Sequence, residues 1–158
     1  MALNLAESYF RSDLYQEGMQ ICANICAMNA DKYAEAQTEA RAKMDMYTNN
    51  QVAKFQMAND YDGIIALAEQ LADAAMAQKI TLQAYLAKKD YNKVIELSQA
   101  AIDAQTTDEG RSDIYYLVGV AYNEKSMFDQ AIAAWKKVTA GNNVENAATY
   151  IKALTPAE

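Results

Sequence analysis

Aromatic residues recur along this chain in pairs six positions apart, and small or apolar residues follow each pair at helical spacing. The pairs are Tyr9 and Tyr15, Phe55 and Tyr61, Tyr85 and Tyr91, and Tyr122 and Phe128. Small or apolar residues stand three, four and ten positions after each second aromatic, a spacing that places side chains on one face of an α-helix. The short polar segment inside each pair predicts a tight turn. Each unit is therefore predicted to be helix, turn, helix.

The residues around each turn support this interpretation. Asp60 and Asp90 stand directly before a second aromatic, where a helix N-cap is expected. A single hairpin of this kind cannot bury its own apolar face, so neighbouring hairpins are expected to stack. Proline occurs once, at Pro156, and glycine five times, so little in the interior interrupts helices. The pattern predicts an all-α chain without strands.

In the last complete unit, residues 112–143, aromatic, small and apolar residues stand at regular spacing: Tyr115, Val118, Gly119, Tyr122, Phe128, Ala131, Ile132, Trp135 and Val138. By these residues the unit resembles a tetratricopeptide repeat, whose signature combines such residues over about 34 positions. The match is weaker in the upstream units. Leu82 and Val52 stand at the positions equivalent to Gly119, and Ser98 and Ala68 stand at those equivalent to Trp135. No unit carries the proline that closes the repeat signature.

The resemblance implies a fold for the whole chain. It implies one all-α domain over residues 1–158, an α-α superhelix in the form of a right-handed solenoid of stacked hairpins. The units are expected at about 1–28, 32–74, 75–108 and 112–140, with a capping helix at about 142–154. In that helix Ala147, Tyr150, Ile151 and Leu154 are expected to face inward, and it should end before Pro156.

The second unit is longer than the others, and two interpretations are open for its first part. Small and apolar residues keep three-and-four spacing from Tyr33 to Ala58, with one polar interruption at Gln51, which favours one long helix. Residues 48–50, Thr-Asn-Asn, could instead divide this segment into two helices.

The charge of the chain limits its partners. The formal net charge is −7, and phosphate backbones are bound mainly through clustered lysine and arginine, so a nucleic-acid partner is not expected. No apolar run approaches the roughly 20 residues of a membrane-spanning helix. We expect a soluble protein, either cytoplasmic or exported after removal of a leader.

The sequence offers little for catalysis. It contains no histidine, the commonest general base and metal ligand. The acidic residues Glu69, Asp73, Glu96, Asp103, Asp108 and Glu109 are scattered over predicted exterior faces and turns. Cys22 and Cys26 have no second pair with which to complete a zinc site, and we interpret both as buried small apolar residues in mid-helix. We therefore predict no catalytic residues, no metal and no cofactor.

The resemblance also implies a binding role. In stacked hairpins the first helix of each unit lines the concave side, where residues not used for packing face a partner. The positions carried over are Asn49, Gln56, Lys79, Gln83, Tyr116 and Asn123. The expected partner is a protein or peptide. The alternative is an architectural role, including a homo-oligomer formed through the repeat ends, because Leu3 and Leu5 begin the chain without a polar capping helix.

Overall fold

The computed structural model describes residues 1–155, and every regular element in that range is helical. The prediction of an all-α protein is confirmed for these residues. The helices are α1 (Ala2–Arg11), α2 (Tyr15–Cys26), α3 (Ala34–Met57), α4 (Tyr61–Glu69), α5 (Ala74–Ala87), α6 (Tyr91–Asp103), α7 (Asp108–Glu124), α8 (Phe128–Trp135) and α9 (Val144–Leu154), with a short 3-10 helix at Asp31–Tyr33.

The chain divides into two compact units, Met1–Ala58 and Asn59–Glu158. In the first unit α2 packs against both α1 and α3, and α1 also touches α3. In the second unit each helix from α4 to α9 packs against the next one along the chain. Helix α5 also contacts α7, so the first helices of these two hairpins lie side by side.

Helix α3 is continuous from Ala34 to Met57, so the prediction of one long helix is confirmed and the break at 48–50 does not occur. Thr48 is buried, and its hydroxyl lies 2.8 Å from the Tyr15 hydroxyl on α2. Asn49 and Asn50 face solvent. The polar triplet is accommodated because its one inward member has a hydrogen-bond partner.

The four predicted turns share one backbone conformation. Two positions before each second aromatic stands a residue with a left-handed φ between 54° and 61°: Asp13, Asn59, Lys89 and Ser126. In three turns the next residue donates its N–H to the carbonyl of the first aromatic at 2.9 Å: Leu14 to Tyr9, Asp90 to Tyr85 and Met127 to Tyr122. This is the Schellman arrangement that ends many helices. The sequence repeat is therefore also a repeat of backbone structure.

The predicted N-caps are confirmed. The Asp60 side chain accepts the N–H of Gly63, and the Asp90 side chain accepts that of Lys93. Each bond satisfies one of the backbone donors that the first turn of a helix leaves without an intrahelical acceptor.

Buried apolar residues form separate clusters in the two units. In the first unit the cluster contains Ala6, Phe10, Cys22, Ile25 and Ala40. In the second unit one cluster joins helices α5 to α8 and another joins α8 and α9. Cys22 is buried as predicted, but Cys26 is partly exposed as the last residue of α2, so the prediction of a second buried, mid-helix cysteine is wrong.

The capping helix α9 begins at Val144 and ends at Leu154. Ala147 is buried, and Ile151 and Leu154 pack against the same cluster, as predicted. Tyr150 differs, because it stacks on Trp135 with ring centroids 5.0 Å apart while 43% of the residue stays exposed. The helix was predicted to end before Pro156, and that residue lies outside the described residues.

Candidate functional site

The predicted partner-binding residues of the first unit lie on an exposed stripe of α3. Asn49 and Gln56 are both exposed, and neither side chain has a hydrogen-bond partner among residues 1–155. Their neighbours on the same helical face are exposed too, including Met46 at 46% and Met57 at 79%. We call this face the α3 stripe and define it by Met46, Asn49, Ala53, Gln56 and Met57.

In the second unit the structure brings Lys79 and Gln83 together. Both line a small cavity of about 100 Å³ between α5 and α7, which Asp113, Leu117 and Asn143 complete. Gln83 is half-buried, and its amide has no hydrogen-bond partner within residues 1–155. The cavity therefore contains an amide that is available to a ligand.

The charges around this cavity compensate each other. The Lys79 ammonium group forms an ion pair with the Asp113 carboxylate. Asp113 also accepts a hydrogen bond of 2.9 Å from the Asn143 side chain. Because Lys79 is already paired, the cavity presents neutral polar groups and does not offer an uncompensated cation to a carboxylate ligand.

Tyr116 is placed differently from Lys79 and Gln83. Its carbonyl accepts a hydrogen bond of 3.2 Å from the Trp135 indole, and its ring centroid lies 6.4 Å from that of Tyr150 on α9. Burial raises the pKa of Tyr116, and the neighbouring Tyr150 raises it further. Tyr116 therefore contacts α9, and part of its side chain stays exposed to solvent.

Asn123 is half-buried near the end of α7, and its carbonyl accepts the N–H of Ser126 in the turn that follows. Neither Asn123 nor Tyr116 lines the cavity with Lys79 and Gln83. The structure therefore brings two of the four predicted residues of the second unit into one site and leaves two outside it.

Asn143 and Leu117 belong to this site and were not predicted. Leu117 lies four residues after Asp113 and so on the same face of α7, a relation that helical spacing could have shown. Asn143 lies 30 positions from Asp113 in sequence. No local pattern predicts their contact, because it depends on where α9 packs.

The groups considered for catalysis remain scattered in the structure. Glu69, Asp73, Glu96, Asp103, Asp108 and Glu109 are all exposed. Both cysteines are free thiols, and burial raises the pKa of Cys22, which disfavours the reactive thiolate. Within residues 1–155 no group of three or more cysteine or carboxylate side chains is placed to hold a metal ion.

None of the helices in the described part of the chain is both long and apolar enough to cross a membrane. No protein-family model, curated protein or solved structure matches this chain. The relation to tetratricopeptide repeats therefore stays a prediction from the spacing of residues.

Proposed function

We propose that this protein is a non-catalytic interaction module that binds a peptide or partner protein through the first helices of its hairpins. The observation that carries the proposal is the α3 stripe. It presents two well-exposed methionines and two unpaired amides on one face of a 24-residue helix. We infer that a partner covers this face, because it offers a partner both adaptable apolar groups and hydrogen-bonding amides.

The chemistry of the stripe suits a partner with varied side chains. Methionine adapts its shape to different apolar groups, and the amides of Asn49 and Gln56 can both donate and accept hydrogen bonds with a peptide backbone. In the second unit Gln83 offers the same kind of group. The Lys79–Asp113 pair favours a neutral segment of the partner over a free C-terminal carboxylate.

The arrangement of α5 to α8 supports the architecture on which this proposal rests. The two hairpins α5–α6 and α7–α8 contact each other, and α5 lies beside α7. We propose that they form part of a right-handed superhelix of the tetratricopeptide type, in which α5 and α7 belong to the concave side.

Affinity capture from an extract of the native cells tests the binding surface. A variant with Asn49→Ala, Gln56→Ala and Met57→Ala should lose partners that the wild-type chain retains. Alanine favours helices, so α3 should persist, which circular dichroism would verify. The matched control is Gln20→Ala with Asn24→Ala, an exposed pair on α2. Identical partners for the stripe variant and the control would reject the proposal.

The alternative is an architectural role through the ends of the repeat array. Leu5 on α1 is 51% exposed, and Val144 and Tyr150 on α9 are 36% and 43% exposed. If these surfaces assemble, light scattering should show a mass that rises with concentration, and Leu5→Glu should lower it. A monomer at all concentrations, with capture that depends on the α3 stripe, would exclude this role.

A further inference from the structure

A second cavity lies between α6, α7 and α8, and nothing in the proposed function uses it. It has a volume of about 250 Å³ and is open to solvent. We call it the α6–α8 cleft. Small-molecule sites usually measure about 300–1,000 Å³, so this cleft suits one inserted side chain better than a whole ligand.

The cleft and the Lys79–Gln83 cavity lie on opposite faces of α7. Asp113 and Leu117 line the cavity, whereas Tyr115, Val118 and Tyr122 line the cleft. At 3.6 residues per turn these two sets point about 150° apart around the helix axis. A ligand in the cleft would therefore not compete with one in the cavity.

Small residues on the second helices of the hairpins create the cleft. Ser98 on α6 and Ala133 and Ala134 on α8 line it. Ser98 stands at the position that Trp135 occupies in the next unit. Ile102 and Val118 provide an apolar lining, so the cleft can accept an apolar group.

The polar groups of the cleft are available for binding. Tyr115, Tyr122 and Gln130 line it, and the structure gives their side chains no hydrogen-bond partner among the described residues. Gln99, also in the lining, is already bonded to Asp103. Neither the Tyr115 nor the Tyr122 hydroxyl is buried without a partner, so both are open to solvent and can donate to an incoming acceptor.

The charge around the cleft indicates the charge of the group that would bind there. Lys137 lines it, with its ammonium nitrogen 5.1 Å from the centroid of the Tyr115 ring, and forms no ion pair within residues 1–155. None of the carboxylates of residues 1–155 lines the cleft, although the chain as a whole carries a net charge of −7. The cleft is thus a locally cationic place on an acidic protein, and it complements an anion.

We propose that the α6–α8 cleft is a second protein-binding site that takes one apolar side chain of a partner segment, with the neighbouring acidic side chain of that segment placed against Lys137. The apolar lining and the open space accommodate the first group. The unpaired ammonium and the tyrosine hydroxyls accommodate the second. The proposal does not depend on the α3 stripe.

Titration of the isotope-labelled full chain with the blocked dipeptide acetyl-Leu-Glu-amide tests it by nuclear magnetic resonance. The backbone amide signals of Ser98, Ala133 and Lys137 should shift and saturate. The control probe acetyl-Leu-Gln-amide keeps the size and loses the charge. It should bind about two- to fivefold more weakly, the range expected for one exposed charge pair.

Variants locate the binding. Ala133→Leu and, separately, Ser98→Leu should fill the cleft from its two sides and abolish the shifts, while circular dichroism confirms the fold. Lys137→Gln should reduce binding of the acidic probe to the level of the neutral one. Shifts only at the α3 stripe, equal binding of the two probes, or binding that survives both filling variants would each overturn the proposal. So would cleft signals that change with protein concentration alone, since a second copy would then be the occupant.

Discussion

Lys89 shows how a single residue carries backbone strain in this fold. Its φ of 61° lies in the left-handed region, where a side chain costs roughly 1–2 kcal/mol because Cβ approaches the following carbonyl. Asp and Asn tolerate this region better than Lys, so the equivalent turns with Asp13 and Asn59 are less strained. Lys89 is exposed, and its own N–H bond to the Leu86 carbonyl does not involve the side chain.

We predict that Lys89→Gly raises the free energy of unfolding by about 0.5–1 kcal/mol. Glycine removes the backbone strain, which stabilises the folded state. It also increases the conformational entropy of the unfolded chain, which offsets part of that stabilisation. Chemical denaturation would measure the change. The control is Lys89→Ala, which removes the same side chain and charge but keeps Cβ. An equal gain in both variants would show that the strain at this turn is not the cause.

At the level of elements, helices α7 and α8 meet through one complementary pair of residues. A Cβ atom on Gly119 would lie 2.3 Å from the Trp135 indole nitrogen, closer than any real contact. Trp135 is 2% exposed and so has little room to move away. In the preceding hairpin the sizes are reversed, since buried Leu82 replaces the glycine and Ser98 replaces the tryptophan. The two hairpins therefore carry the larger residue of this pair on different helices.

We predict that Gly119→Ala lowers the free energy of unfolding by about 1–3 kcal/mol through overpacking. The change runs against helix propensity, because alanine is favoured over glycine in a helix by about 1 kcal/mol. In a Trp135→Leu background the same substitution should cost less or become stabilising. A double-mutant cycle by chemical denaturation gives this coupling, and its absence would mean that the indole does not restrict position 119.

The elements themselves could be predicted because their signals are local. Each turn combines two aromatics, a polar segment and, at Asp60 and Asp90, a capping side chain within a few residues of one another. The contact of Asn143 with Asp113 could not be predicted in this way. It joins residues 30 positions apart and depends on the packing of a helix whose own sequence does not specify its neighbour. For the same reason, the contact of Tyr116 with Tyr150 on α9 could not be predicted from the sequence.

At the level of the whole molecule, each unit combines apolar clusters with polar contacts between helices. In the second unit apolar clusters connect helices α5 to α9, and Asp113 joins Lys79 to Asn143. In the first unit a polar network between α1 and α3 accompanies the apolar cluster. The Glu7 carboxylate accepts hydrogen bonds from the Lys43 ammonium group and the Tyr47 hydroxyl, each at 2.7 Å, and from Arg11 at 3.1 Å. These partners lie up to 40 positions from Glu7 in sequence, so no local pattern could predict the network.

This network should make the first unit sensitive to acid. The bond from Lys43, followed by that from Tyr47, lowers the pKa of Glu7 from 4.5 to about 2. A depressed carboxyl pKa stabilises the folded state above the ordinary value, and this contribution is lost as the pH falls from about 4.5 towards 2. Because solvent reaches 22% of the side chain and screens it, we expect a contribution on the order of 1 kcal/mol. The protection factors of the α1 amides, which correct for the pH dependence of intrinsic exchange, should therefore fall as the pH falls across that range. The Glu7→Gln variant should show faster exchange than the wild type already at neutral pH, and its protection should depend less on acid. The control is Glu39→Gln, which removes only the 3.8 Å contact of an exposed carboxylate with Lys43. This control should behave like the wild type. If Glu7→Gln and the wild type lose protection in parallel as the pH falls, the acid sensitivity of this unit has another origin.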